Sequence, residues 1–89
     1  MKIVCSPLYE KQIKEILQNI SNEDIASAKN FKLYLDTIIM NAHTKFKKYK
    51  QSIYFDHEAI KDIEYENFSV PVFYDEEADK YIILGIVTK

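Results

Sequence analysis

The sequence predicts an α+β fold in which two helices pack as a hairpin on a small antiparallel sheet. Apolar residues recur at helical spacing through the first half of the chain, up to about His43. From Ser52 onward, short runs rich in Ile, Val, Phe and Tyr are separated by polar turns, which is typical of strands. An apolar run also precedes the helices, so the predicted order of elements is β-α-α-β-β-β.

Length and composition predict one folded domain that covers residues 1–89. The chain has 89 residues, of which 47% are hydrophobic, with one Gly and two Pro, and this composition is not that of a disordered chain. The net charge is −2, so any surface that attracts a polyanion must be local. Every Lys/Arg position is a lysine, and ammonium groups cannot bind phosphate bidentately as arginine does.

Other simple signals point to a cytoplasmic protein with no cofactor. Cys5 is the only cysteine, so no disulfide framework is expected. No apolar run is long enough to cross a membrane, and no signal-peptide pattern is present, so no membrane partner is expected. The acidic run from Asp75 to Asp79 lacks the spacing of a calcium loop, and no metal site is predicted.

The first half of the chain predicts a strand followed by an αα-hairpin. Ile3 and Val4 lie in the first strand, and Ser6-Pro7 is a favourable helix start. Helix one is predicted from Pro7 to Ile20. Helix two is predicted to begin at Ser21, in a near capping box, and to run to about His43. The predicted apolar faces are Tyr9, Ile13, Ile16, Leu17 and Ile20 on helix one, and Ile25, Ala28, Phe31, Leu35, Ile38, Ile39 and Ala42 on helix two.

The second half predicts short strands joined by turns. A brief β-prone run covers Ser52 to Phe55, and Asp56-His57-Glu58 is a predicted turn. Ile60 to Tyr65 and Phe68 to Tyr74 are predicted strands, joined at Glu66-Asn67. Pro71 cannot donate to a ladder, so its strand is expected to border the sheet or to be locally irregular. The predicted last strand is Tyr81 to Val87, and its strongly apolar content predicts a central position in the sheet.

Basic and aromatic residues alternate between Lys45 and Phe55, a stretch we call the lysine–tyrosine segment. Its sequence is KFKKYKQSIYF. Phe46 continues the apolar face of helix two and is expected in the core, and Ile53 and Phe55, or Tyr54 alone, are expected to point inward. The lysines are left at the surface, where they form a local positive field. This segment is therefore either a docking surface or an ordinary solvated loop.

Three stretches of the chain, with their order and spacing, carry a resemblance to a known family: MKIVCSPLYEKQIKEIL, KKYKQSIYFDHEAIKDI and ENFSVPVFYDEEADKYIILGIV. Together they resemble the RelE/ParE superfamily, the toxins of bacterial type II toxin–antitoxin modules, and the resemblance covers essentially the whole chain. The resemblance implies the β-α-α-β-β-β fold, a cognate antitoxin as partner, growth inhibition, and a role in plasmid stabilisation. It leaves open a homodimer or a hetero-oligomer with the antitoxin.

The resemblance implies two kinds of activity and one inactive form. A ParE-like toxin would bind a target such as DNA gyrase, whereas a RelE-like toxin would be a ribosome-dependent mRNA endoribonuclease. Lys61 and Lys89 fall near basic positions of the ribonucleases, but Ser69 stands where those enzymes usually carry arginine, and the chain stops before their terminal tail. We therefore expect the ParE-like activity. The ribonuclease and a degenerate, non-toxic member that only binds antitoxin remain alternatives, so whether the chain is an enzyme stays open.

The candidate site residues follow from the segment and from the resemblance. For a ribonuclease, the catalytic residues would be Lys61 and Lys89. For binding a target or an antitoxin, the candidates are Lys45, Lys47, Lys48, Tyr49, Lys50, Tyr54 and Lys61.

Overall fold

The computed structural model describes all residues from Met1 to Lys89 and shows a small α+β fold with three helices and a mixed five-stranded sheet. A short 3-10 turn at Phe46–Lys48 follows the helices. The helices are α1 (Pro7–Glu23), α2 (Ile25–Met40) and α3 (Ala42–Lys45), and the strands are β1 (Lys2–Cys5), β2 (Ile60–Tyr65), β3 (Phe68–Asp75), β4 (Lys80–Ile83) and β5 (Val87–Thr88).

The sheet is mixed, whereas the sequence predicted an antiparallel one. Its strand order is β1-β4-β3-β2, with β5 also paired to β3. The pairs β2–β3, β3–β4 and β3–β5 are antiparallel, but β1 lies parallel to β4. Parallel neighbours need a long connection between them, and the αα-hairpin with two further strands separates β1 from β4 along the chain.

The αα-hairpin forms as predicted, but its break lies three residues later. Ser6 caps α1, since its hydroxyl accepts the Tyr9 N–H at 3.1 Å, as predicted. The predicted helix start at Ser21 is wrong, because the Ser21 hydroxyl donates back to the Gln18 carbonyl. Asp24 caps α2 instead. Two hydrogen bonds hold the pKa of Asp24 below its ordinary value. The larger effect comes from the Ser27 hydroxyl and the smaller one from the Ala26 N–H.

The second helix is also shorter than predicted, because it ends at Met40 rather than near His43. Asn41 closes it, with its N–H bonded to the carbonyls of Thr37 and Ile39. The chain then forms α3 and the 3-10 turn. Phe46 nevertheless reaches the core, as predicted, because the short helix keeps turning the chain toward the sheet.

Two of the predicted strands in the second half are confirmed, and two predictions are wrong in part. β2 and β3 match the predicted ranges to within one residue. The run Ser52 to Phe55 is not a strand, since this stretch makes only an isolated bridge between Gln51 and Lys61. The predicted last strand lies centrally, between β1 and β3, but it is split into β4 and β5.

Pro71 explains that split. Its carbonyl accepts the Leu84 N–H at 2.9 Å, but proline has no N–H to return to the Leu84 carbonyl. The Ser6 hydroxyl donates to that carbonyl instead, at 2.8 Å, and Gln12 Oε1 accepts the Ile86 N–H at 2.8 Å. β3 lies between β4 and β2, so the expectation that the strand of Pro71 borders the sheet is wrong. The irregularity, which was the other expectation, appears in the neighbouring strand.

The hydrophobic core lies between the helices and one face of the sheet. Most of the predicted apolar positions of α1 and α2 are buried or partly buried there, but Ile25 is 64% exposed because it lies in the first turn of α2. No helix is both long and apolar enough to cross a membrane. The buried cluster consists of Tyr9, Ile13, Leu35, Ile39, Ala42, Phe46, Ile63, Tyr65, Val70, Val72, Ile83 and Ile86.

Candidate functional site

A cleft opens on the face of the sheet that the helices leave uncovered. Because side chains alternate along β2, Ile63 and Tyr65 enter the core while Asp62 and Glu64 face the other way. This space, which we call the open-face cleft, has a volume of about 470 Å³. The sheet side contributes Asp62, Glu64, Ser69 and Lys89, and the lysine–tyrosine segment contributes Lys48, Tyr49, Lys50, Gln51, Ile53 and Tyr54.

Three hydrogen bonds join the lysine–tyrosine segment to the outer edge of β2, and a fourth lies within the segment. The Ser52 N–H donates to the Ile60 carbonyl at 2.8 Å, and the Asp62 N–H donates to the Lys50 carbonyl at 3.1 Å. Asp62 Oδ2 accepts the Ile53 N–H at 3.0 Å. The Ser52 hydroxyl accepts the Tyr54 N–H at 3.1 Å. These bonds hold the segment in place as one wall of the cleft, although the segment does not form a strand.

The cleft carries charges of both signs that are not paired with each other. The two ion pairs of the structure join the amino group of Met1 to Asp79 and Lys32 to Asp36, and both lie outside the cleft. One carboxylate oxygen of Asp62, Oδ1, is buried and has no hydrogen-bond partner. The cleft therefore offers unpaired ammonium donors to a binding partner, whereas Asp62 Oδ1 is enclosed by the protein.

An apolar tip, Ile53 to Phe55, projects from this wall. Ile53 is 83% exposed, and Tyr54 and Phe55 are each 42% exposed. The prediction that Ile53 and Phe55, or Tyr54, point inward is therefore wrong. The backbone bends here instead of forming a strand, and the small side chain of Ser52 takes the buried position. The tip adjoins the lysines of the same segment.

The structure does not bring together the two lysines predicted for a ribonuclease. Lys61 lies on the helix-covered side, where its Nζ donates to the Lys47 carbonyl at 3.2 Å and lies 5.6 Å from the centroid of the Phe46 ring. Lys89 lines the open-face cleft. The two residues therefore lie on opposite faces of the sheet.

Except for Lys61, which lines neither, the predicted binding residues divide between two cavities. Lys48, Tyr49, Lys50 and Tyr54 line the open-face cleft. Lys45 and Lys47 line a second cavity on the covered side of the sheet, and Lys48 borders both. The segment therefore presents two basic surfaces rather than one.

His57 belongs to a turn and not to the cleft. Its Nδ1 accepts the Ala59 N–H at 3.0 Å, and its ring packs 5.5 Å from that of Phe73. This geometry agrees with the turn predicted at Asp56-His57-Glu58. No histidine lines the cleft, and no group of three or more His, Cys, Asp or Glu side chains is arranged to hold a metal ion.

A separate apolar groove lies between α1 and α2, and we call it the hairpin groove. Its volume is about 760 Å³. Leu17, Ile25, Ala28 and Leu33 form its apolar lining, and its charged lining residues are Lys14, Lys29, Lys32 and Asp36.

Sequence reasoning missed several residues of the cleft. Asp62 and Glu64 are two apart in a strand, which places them on one face, and this signal was available from the alternation of β2. The contribution of Gln51 and Ile53 had no comparable signal, because it depends on how an irregular segment lies against β2.

No protein-family model matches the chain, and no curated protein matches its sequence.

Proposed function

We propose that this chain is a toxin of the RelE/ParE type that acts by binding its target, DNA gyrase being the expected target class. The observation that carries the proposal is the apolar tip, Ile53 to Phe55, beside Lys48 and Lys50 at the open-face cleft. Exposed apolar residues next to one another, rimmed by polar groups, are typical of surfaces that bind another protein. The order of elements, a strand, an αα-hairpin and then further strands, agrees with what the resemblance implies.

The hairpin groove supports a second partner, a cognate antitoxin. Helical peptides commonly bind by placing an apolar face in a groove of this kind. Three of the four charged residues that line the groove are lysines, which favour an acidic helix. The groove and the open-face cleft consist of different residues, so a target and an antitoxin would each have a surface.

No comparable observation favours the ribonuclease. Cleavage of RNA needs a base, an acid for the leaving oxygen, and positive charge around the phosphate. The cleft has lysines but no histidine, and Lys61 is engaged with Lys47 and Phe46 on the other face. The proposal is therefore inhibition by binding.

The test is growth of a bacterial culture after tightly controlled expression, with plasmid topology read from the same cells. The test variant is Ile53→Ser combined with Tyr54→Ser, which removes the apolar tip. The control is Leu8→Ser, because Leu8 is also a large exposed apolar residue but lies in α1. We expect growth arrest with relaxed or linearised plasmid for the unchanged chain and for the control, and growth for the tip variant.

Two results would contradict the proposal. Growth arrest with fully supercoiled plasmid would point to mRNA cleavage instead. Normal growth with confirmed folded protein would leave only the non-toxic member that binds antitoxin, and co-purification with an acidic helical partner would then be the remaining readout.

A further inference from the structure

The second cavity has an aromatic wall. It lies on the covered side of the sheet, beyond the end of α2, and its volume is about 470 Å³. Tyr74 and Tyr81 stack with ring centroids 4.6 Å apart, and the Phe46 ring lies edge-on to Tyr81 at 5.2 Å. We call this space the aromatic cavity. Its wall is rigid, because the three rings pack on one another and Phe46 belongs to the core.

The rest of the lining is basic or neutral. It consists of His43, Thr44, Lys45, Lys47 and Lys48, and no carboxylate lines the cavity. None of the three lysines forms an ion pair. Asp79 accepts a hydrogen bond from the Tyr74 hydroxyl, but the amino group of Met1 pairs with its other oxygen. The aromatic cavity therefore attracts anions, in contrast to the open-face cleft with its two carboxylates.

Hydrogen bonds to residues outside the cavity hold this basic rim in place. Lys61 donates to the Lys47 carbonyl and so fastens the 3-10 turn. The Thr44 hydroxyl donates to the Asn41 carbonyl at 2.7 Å. His43 Nδ1 lies 3.1 Å from the Met40 carbonyl, which can only accept, so Nδ1 carries the proton and Nε2 is left for other contacts.

We infer that the aromatic cavity binds a small aromatic phosphate of the nucleotide class. Its volume lies within the range of small-molecule sites. The rings of Tyr74 and Tyr81 provide an apolar surface for a base, and the ammonium groups of Lys45, Lys47 and Lys48 provide charge for a phosphate. A neutral aromatic ring or a bare phosphate would use only half of these groups, so the combined ligand binds more tightly than either part.

The experiment is an NMR titration of the full chain with AMP, with adenosine and inorganic phosphate as the two partial ligands. We expect AMP to shift the backbone signals of residues 43–48 together with those of Tyr74 and Tyr81, and to bind more tightly than either part. The combined variant Lys45→Gln and Lys47→Gln should weaken AMP binding about tenfold or more, since it removes charged hydrogen-bond donors. The matched control, Lys14→Gln with Lys29→Gln in the hairpin groove, removes the same charge and should bind AMP as the unchanged chain does.

Three results would overturn the inference. They are the absence of shifts at millimolar AMP, shifts centred on Tyr49 and Tyr54 in the open-face cleft, and equal weakening by both lysine pairs, which would indicate unspecific charge attraction. A 5′-phosphorylated trinucleotide distinguishes the sources of the ligand. If the trinucleotide binds more tightly than AMP and shifts the same signals, the ligand is the 5′ end of a nucleic-acid chain. If it binds equally or more weakly, the ligand is a free nucleotide. Both results support the site. Toxicity does not enter this experiment, so its outcome is independent of the proposed function.

Discussion

The two faces of the sheet differ in what their side chains do, although the same strands supply both. The covered face contributes Ile63, Val70, Val72 and Ile83 to a core in which these side chains are almost completely buried. The open face carries charged and polar groups that make no ion pair with one another. The residues that form the core and the residues that form the candidate site are therefore different, even where they are neighbours in the sequence.

The largest expected effect is the difference in stability between truncating an aliphatic side chain in the core and truncating one at the exposed apolar tip. Leu35 of α2 is completely buried, so Leu35→Ala should lower the free energy of unfolding by about 2–5 kcal/mol. Ile53→Ala at the exposed tip should change it by less than about 0.5 kcal/mol. Urea denaturation measures both, and Leu35→Met serves if the alanine variant does not fold. Similar losses at the two positions would mean that the tip is part of the core.

A smaller effect is expected where α1 joins the broken last strand. Ser6→Ala removes the cap of α1 and leaves the Leu84 carbonyl without its donor, so we expect a loss of about 1–3 kcal/mol. In a Pro71→Ala background, the new N–H at position 71 can donate to that carbonyl, and the same Ser6→Ala change should cost less. A double-mutant cycle by urea denaturation measures the coupling. Strictly additive effects would disprove that Ser6 replaces the donor that proline lacks.

The smallest expected effect is the change in stability when the hydroxyl group is removed from either of two buried tyrosines on the covered side. The Tyr65 hydroxyl donates to the Phe31 carbonyl at 3.2 Å, so Tyr65→Phe should cost about 0.5–1.5 kcal/mol. The Tyr9 hydroxyl is buried without a partner, and burial raises the pKa of this phenol. Tyr9→Phe should therefore leave the stability unchanged or increase it. Thermal unfolding compares the two variants, and a larger loss for Tyr9→Phe would show that its hydroxyl does have a partner.

The fold was predictable where local signals agree with tertiary packing. Ser6-Pro7 starts α1, and the apolar runs of β2 and β3 mark those strands to within one residue. The start of α2 was not predictable in the same way, because Ser21 and Asp24 are both suitable caps and only the structure shows which one is used. The break between β4 and β5 depends on Pro71, which lies on a neighbouring strand.

The candidate sites were less predictable than the fold. The lysines between Lys45 and Lys50 stood out in the sequence, but their division between the open-face cleft and the aromatic cavity did not. Lys61 was predicted to bind a partner, and in the structure it holds the turn that carries Lys47. A side chain's neighbours across a sheet come from distant positions in the chain, so periodicity alone does not identify them.

The sequence by itself determined the order of the main elements, the start of α1, the strands β2 and β3, and most of the apolar helix faces, because those properties depend on neighbours within a few positions. The tertiary structure alone decided the parallel pairing of β1 with β4, the exposure of Ile53 to Phe55, and the joining of Tyr74 and Tyr81 with the lysine rim. These features depend on contacts between residues far apart in the chain, and such contacts form only when the helices and strands pack together.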